Sequence, residues 1–207
     1  PVEQVATPEG YARNPEQVIN FYNERRKQLL DVVPNAGHLG VADLERDFNV
    51  TVVTQNVDNL HERAGSTHVI HLHGELTKVC SSRDPYNPHF VKELAPEEYE
   101  VKLGDKAGDG TQLRPFIVWF GESVPEIETA IRYVEQADIF VIIGTSLNVY
   151  PAAGLLNYVP RAAEVYLIDP KPVDTHVMRP IHVIQKGASE GVKELKALLT
   201  VTQPPLP

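Results

Sequence analysis

The chain has 207 residues, 42% of them hydrophobic and 23% charged, the balance of a compact globular domain and not of a disordered or fibrous chain. Its 28 acidic and 19 basic side chains leave a net charge of −9, which removes the general attraction on which nucleic-acid binding rests, so no nucleic-acid partner is expected. The single cysteine, Cys80, excludes an internal disulfide, a four-thiolate zinc site and an iron–sulfur cluster, and it suits a reducing, cytoplasmic setting. In chain order, the first predicted element is a helix over 14–30, where Val18, Phe21, Tyr22, Leu29 and Leu30 fall at near-helical spacing behind an Asn14-Pro15 cap. Short apolar runs at 50–54, 68–72, 116–120, 138–143, 164–169 and 181–184 then alternate with helical stretches. That rhythm predicts an α/β fold: an open, Rossmann-like parallel sheet with helices on both faces.

The run 139–143 is apolar at every position and is expected to be a central strand buried on both faces. Residues 77–113, rich in Pro, Gly, Asp and Glu, break the pattern and read as a small inserted module. The expected partition is therefore 36–76 with 114–207 as the Rossmann-like domain, and 1–35 with 77–113 as a helical and inserted part. No run approaches the about 18 uninterrupted apolar residues of a membrane span, so no membrane partner is expected. The proline-rich tail 203–207 reads as a frayed end.

Three constellations carry the chemistry. Gln55, Asn56 and Asp58 follow the apolar strand 50–53, at the carboxyl end where doubly wound sheets bind ligands; the same residues would also serve as turn and cap residues before a short helix at 60–63. His71 and His73 lie on one side of the strand 68–72, ahead of a turning Gly74, and His73 is nearest the strand end, where an imidazole can act as general base. Read as paired metal ligands, the two histidines lack a third partner, and no metal is expected. Gly144, Thr145 and Ser146 leave the apolar strand with hydroxyls and backbone N–H groups suited to ribose or phosphate, and Asp169 follows the next strand as a ribose acceptor.

Taken together, Gln-Asn-Val-Asp-Asn-Leu-His at 55–61, His-Gly-Glu at 73–75, Trp-Phe-Gly-Glu at 119–122 and Gly-Thr-Ser…Val-Tyr-Pro-Ala-Ala-Gly at 144–154 resemble the sirtuins, NAD-dependent protein lysine deacylases. The resemblance implies NAD as cofactor and His73 as catalytic base. It places Asn56 and Asp58 at nicotinamide, Gln55 at the nearby ribose, Gly144, Thr145 and Ser146 on the cofactor, and Ala188 at adenine. Asp169 stands where many members have asparagine, which keeps an acceptor and removes a donor. By the same resemblance Val118, Phe120 and Gly121, with Val149 and Tyr150, flank an acyl-lysine peptide added as an extra strand.

Tyr22 and Arg25, one helical turn apart, resemble the Tyr-x-x-Arg of the class III sirtuins that accept succinyl- and malonyl-lysine, in which a phenol and a guanidinium bind a carboxylate. The implied reaction moves the acyl group from lysine to the NAD ribose, giving nicotinamide, free lysine and O-acyl-ADP-ribose. The alternatives are a mono-ADP-ribosyltransferase using the same pocket and a noncatalytic acyl-lysine reader.

Two departures accompany the resemblance. The four zinc cysteines are reduced to Cys80, so a zinc-free module is expected, held by Tyr86, Phe90, Leu94, Tyr99, Val101 and Leu103. The early Gly-Ala-Gly phosphate loop is not among these residues, so the expectation is either about thirty further residues upstream, the usual size of such a strand–loop–helix unit, or weak NAD binding. A monomer is expected.

Overall fold

The computed structural model describes residues 1–145, 152–172 and 179–201. The elements in order are α1 (Val2–Val5), α2 (Pro8–Arg13), α3 (Pro15–Leu29), α4 (Ala36–Asp43), β1 (Val52–Thr54), α5 (Leu60–Ala64), β2 (Val69–His71), β3 (Gly74–Ser81), β4 (Lys92–Glu93), β5 (Leu113–Ile117), α6 (Ile127–Val134), β6 (Ile139–Ile143), β7 (Glu164–Ile168), β8 (His182–Ile184) and α7 (Ala188–Val201). Among the described residues, no helix is long and apolar enough to cross a membrane. The chain divides into two compact units, one of residues 1–33, 54–59 and 71–125, the other of residues 34–53, 60–70 and 126–207.

The second unit holds a parallel sheet of order β6–β7–β8, in register from Ile139 opposite Glu164 and from Tyr166 opposite His182. The middle position goes to β7 and not to the wholly apolar β6. Val165, Leu167 and Ile168 are 1% exposed, whereas Ile142 alone is fully buried in β6. Side chains alternate across a strand, so Tyr166 and Ile168 point to one face and Val165 and Leu167 to the other, and both faces are covered. On the first face Val192, Leu195 and Leu199 of α7 pack with Leu44, Tyr166, Ile168 and Ile184. Helix and strand approach closely at Gly191, where an added Cβ would lie 2.2 Å from Cγ2 of Ile168.

The first unit is built on α3. Its start follows the expected cap, with the Asn14 side chain accepting from the Gln17 N–H and Pro15 in the first turn. Its buried face, however, is Val18, Ile19, Tyr22, Asn23, Arg26 and Leu29, so two polar residues replace the expected Phe21 and Leu30, the latter being exposed. Both are bonded to main chain far along the sequence: the Asn23 amide donates to the Val101 carbonyl at 2.8 Å and accepts from its N–H at 2.9 Å, and Arg26 Nε donates to the Tyr99 carbonyl at 3.0 Å.

Strand β3 pairs antiparallel with β4 and β5. Because β3 starts at Gly74 and runs unbroken into the 77–113 segment, residues 54–59, 71–76 and 114–125 pack with that segment and with 1–33, a different division from the expected 36–76 and 114–207. The strand expected at 116–120 forms at Leu113–Ile117 instead. Beyond it the Val118 N–H still donates to His73 O alongside the Gly74–Ile117 pair, whereas the N–H groups of Trp119 and Phe120 donate to Glu122 Oε1 and Ala6 O and leave the ladder. Of the residues expected to hold the 77–113 segment, Leu94 and Val101 join Ile19 and Val79 in the core, and Tyr86 packs edge-on to Phe116, while Leu103 is exposed.

The close contact at Gly191 has a measurable consequence. Valine there gains little over glycine in helix propensity and must displace Ile168, so Gly191→Val is expected to destabilise the protein by about 2 kcal/mol, the usual cost of overpacking. A urea midpoint unchanged within error would contradict this packing.

Candidate active site

The turn after β1 is fastened to the histidine segment by four successive residues. The carbonyls of Thr54 and Val57 accept from the N–H groups of Leu72 and Leu76, at 3.0 and 2.8 Å. Between them the Asn56 carbonyl lies 3.1 Å from His71 Nδ1, and the backbone of Gln55 bonds the ring of His73. The turn itself is closed by Thr54 Oγ1, which accepts from the Asn56 N–H at 3.0 Å. Gln55 and Asp58 are left half-exposed and Asn56 exposed, beside His73 and not across the molecule from it.

The two histidines differ. His71 is 7% exposed, and a carbonyl partner requires Nδ1 to carry its proton; Nε2 lies 3.9 Å from Glu75 Oε1, beyond hydrogen-bond distance. His73 is half-buried. Burial lowers its pKa below the ordinary 6.5, the hydrogen bond to the Gln55 backbone offsetting only part of that effect. The neutral ring gives its one N–H to Gln55, and its other nitrogen carries a lone pair. Behind it Gly74, at φ +90°, lets β3 meet β5, since a Cβ would stand 2.1 Å from the Phe116 carbonyl oxygen. The His73 carbonyl accepts from the Val118 N–H at 2.9 Å, joining the base to the 118–122 segment.

That segment is anchored by a buried ion pair between Arg114, 4% exposed, and Glu122, with Nη1–Oε2 at 3.0 Å and Nη2–Oε1 at 3.1 Å. Arg114 Nη2 also donates to the Ile117 carbonyl, and its guanidinium lies 3.8 Å from the centre of the Trp119 ring. Burial would raise the pKa of Glu122, but Arg114, the Trp119 N–H and the Tyr86 hydroxyl together hold it below the ordinary value. Around this anchor Phe120 is 65% exposed and Gly121 sits at φ +89°, presenting the tip of the segment outward.

Tyr22 and Arg25 diverge more than their spacing suggests. Tyr22 is 6% exposed and accepts from Trp119 Nε1 at 3.1 Å, while Arg25 is exposed over the Phe21 ring, 5.0 Å from its centroid. The charge of Arg25 still acts on the Tyr22 hydroxyl.

In the second unit Gly144, Thr145 and Asp169 leave the adjacent parallel strands β6 and β7 at the same end; the Gly144 N–H donates to the Ile168 carbonyl, and Gly144 takes φ +62°, where a Cβ would meet nothing among the described residues. Asp169 Oδ1 accepts from the Lys171 N–H, which leaves Oδ2 as an acceptor. Ala188 begins α7 and is half-buried against Gly37. Ser146, Val149 and Tyr150 lie outside the described residues. Sequence reasoning gave no role to Arg114, Glu122, Asn23 or Arg26; for Glu122 the signal was its place in Trp-Phe-Gly-Glu.

Residues 1–151 match the model of the Sir2 family. The chain belongs to that family. It is 83% identical over 199 residues to an NAD-dependent protein deacylase of Bacteroides thetaiotaomicron, covering 96% of this chain and 85% of the relative. It is 46% identical over 194 residues to one of Helicobacter pylori, covering 94% and 82%. Among solved structures, a Sir2 homologue in complex with NAD is 35% identical, with a TM-score of 0.80 over 96% of this chain and 77% of that one. The Rossmann-like α/β class expected from the strand rhythm is the class of this family.

Removing one partner of a buried ion pair strands the other charge. Glu122→Ala is therefore expected to cost about 3 kcal/mol of stability; a loss below 1 kcal/mol in denaturant unfolding would show that Arg114 finds another counter-charge.

Proposed function

We propose that this Sir2-family chain is an NAD-dependent protein lysine deacylase in which His73 is the general base. The observation that carries the reading is the state of His73: half-buried, its pKa lowered by burial so that the ring is neutral at neutral pH, and its N–H committed to the Gln55 backbone in the 55–58 turn. Deacylase names at high identity, and a related Sir2 protein solved with a p53 peptide and NAD at 25% identity, support acyl-lysine in a protein as substrate.

The residues present fit the cofactor. Among the described residues, Gly144 opens a strand end where a Cβ would meet nothing, and Asp169 Oδ2 has no partner, which suits a ribose hydroxyl. Within the second unit, Gly144, Thr145, Asp169 and Ala188 offer groups suited to the adenosine part of the cofactor; within the first, Gln55, Asn56 and Asp58 offer groups suited to its nicotinamide part. When bound, NAD would supply an electrophilic ribose carbon and a nicotinamide leaving group. The chain's own part is to orient the peptide along 118–121 and to accept a ribose hydroxyl proton at the free nitrogen of His73.

An acylated peptide followed by mass with NAD distinguishes loss of the acyl group from gain of ADP-ribose. His73→Ala is expected to lower turnover about 10²–10⁴-fold, the usual contribution of a general base. Because burial depresses the pKa of His73, activity should persist as pH falls through 6.5 and fail only below it. Near-normal turnover in the variant, or an acidic limb above 6.5, would reject the assignment.

For the acyl group we propose an acidic chain, succinyl or malonyl, bound by Tyr22 with Arg25. A planar guanidinium on a flexible stem and a fixed phenol suit a carboxylate. Tyr22→Phe with Arg25→Met should lower activity on succinyl-lysine at least tenfold more than on acetyl-lysine; equal losses on both peptides would remove the proposal.

The reading takes the 77–113 module as zinc-free, on the strength of a single cysteine buried in β3 and the hydrogen bonds that close the module. The same lone cysteine supports a reducing, cytoplasmic setting. A monomer that binds no nucleic acid completes the proposal, the latter on the net charge of −9.

A further inference from the structure

We infer that Trp119 is a specificity-determining positioning residue: its indole N–H fixes the Tyr22 hydroxyl as a hydrogen-bond donor toward an acidic acyl end, and the Arg114–Glu122 pair holds the indole in place. The inference rests on the reading of Tyr22 as part of the acyl pocket. Its physical basis is the asymmetry of the two groups. An indole Nε1 is a donor only, so at 3.1 Å the Tyr22 oxygen is the acceptor. A phenol has one proton, and with its oxygen engaged by Trp119 that proton is left to be given elsewhere. A carboxylate accepts it; the methyl end of an acetyl group does not. Burial raises the pKa of Tyr22 against the opposing effect of Trp119 and of nearby Arg114 and Arg25, so the hydroxyl keeps the proton it is to donate.

The indole is over-determined. It is 2% exposed, with the Arg114 guanidinium on its face at 3.8 Å and the Tyr11 ring 5.3 Å away. Its main-chain N–H donates to Glu122 Oε1 at 2.8 Å. The same carboxylate oxygen accepts from Arg114 Nη2 and from the Tyr86 hydroxyl, and the other from Arg114 Nη1. Turning the ring would break the bond to Tyr22 and the stack on Arg114 together. One residue further, Phe120 and Gly121 face outward. A single short segment thus presents a peptide-facing tip and, through Trp119, sets the polarity of the residue that reads the acyl end. A hydrophobic core role alone would be met by any large ring at 119 and would not need the N–H.

Trp119 is the protein's one tryptophan, so its emission reports on this bond without labelling. Binding of a succinyl-lysine peptide, verified by calorimetry, is expected to shift or quench that emission in the unaltered protein, and Tyr22→Phe is expected to abolish the change. In activity, Trp119→Phe should lower the succinyl-to-acetyl ratio of kcat/KM at least tenfold, through KM for the succinyl peptide. If Tyr22→Phe lowers that ratio and a folded Trp119→Phe does not, the inference falls while the acyl reading stands. If neither lowers it, the acyl reading itself fails. Should Trp119→Phe not fold, the emission decides: no change on saturation with the succinyl peptide overturns the inference.

Discussion

Taking a guanidinium out of water costs stability, which a counter-charge and filled donors offset. Arg114 meets that constraint by gripping Glu122 with two bonds and the carbonyls of Ile117 and Pro115 with others. Satisfying one buried cation therefore fixes the end of β5, the turn that follows it and the indole that lies on the cation's face. The segment 119–122 gains a defined shape although it lies beyond the strand ladder. An exposed phenylalanine and a positive-φ glycine at its tip are tolerable because everything behind them is anchored.

The base is set by a different device. Residues 54–57 give their carbonyls, one after another, to Leu72, His73, His71 and Leu76, so the amide-rich turn and the histidine segment have no freedom to slide past each other. This arrangement resolves a conflict in electrostatics. Enclosing an imidazole lowers its pKa and favours the neutral form; a carbonyl acceptor pulls the other way. At His73 enclosure wins, and the same carbonyl fixes which nitrogen bears the proton. Orientation and protonation state come from one contact.

Much of this was legible from the residues. Three strands of the parallel sheet, the Asn14-Pro15 start of α3 and the neighbourhood of His73 with 55–58 follow from apolar runs, cap chemistry and strand-end logic. What escaped the pattern was polar and tertiary. Periodicity assigned Phe21 and Leu30 to the buried face of α3, yet Asn23 and Arg26 lie there because their partners, the main chain at 99–101, sit more than seventy residues away. The shift of β5 from 116–120 to Leu113–Ile117 has the same origin. Apolar content at 116–120 reads as strand, and only the three-dimensional fold reveals acceptors at Glu122 and Ala6 that draw the N–H groups of Trp119 and Phe120 off the ladder. Likewise, spacing alone put Tyr22 and Arg25 on one helix face, but did not show that the phenol is taken inward by Trp119.

In the 77–113 module the same kind of contact fastens a whole segment. Apolar packing accounts for part of its attachment, through Leu94 and Val101. The rest is a small polar knot: the hydroxyls of Ser81 and Thr111 donate to the two oxygens of Asp109, and Ser81 Oγ accepts the N–H groups of Arg83 and Asp84. Donation from Ser81 and Thr111 draws the Asp109 carboxyl down to about 2, so it is charged at neutral pH. A hydroxyl that donates once and accepts twice closes the end of β3 against the returning chain. The Asn23 amide does the equivalent for Val101, using both its donor and its acceptor as a strand neighbour would. Short side chains with matched donors and acceptors thus fasten a Pro- and Gly-rich segment that has too little apolar surface to fold by burial alone.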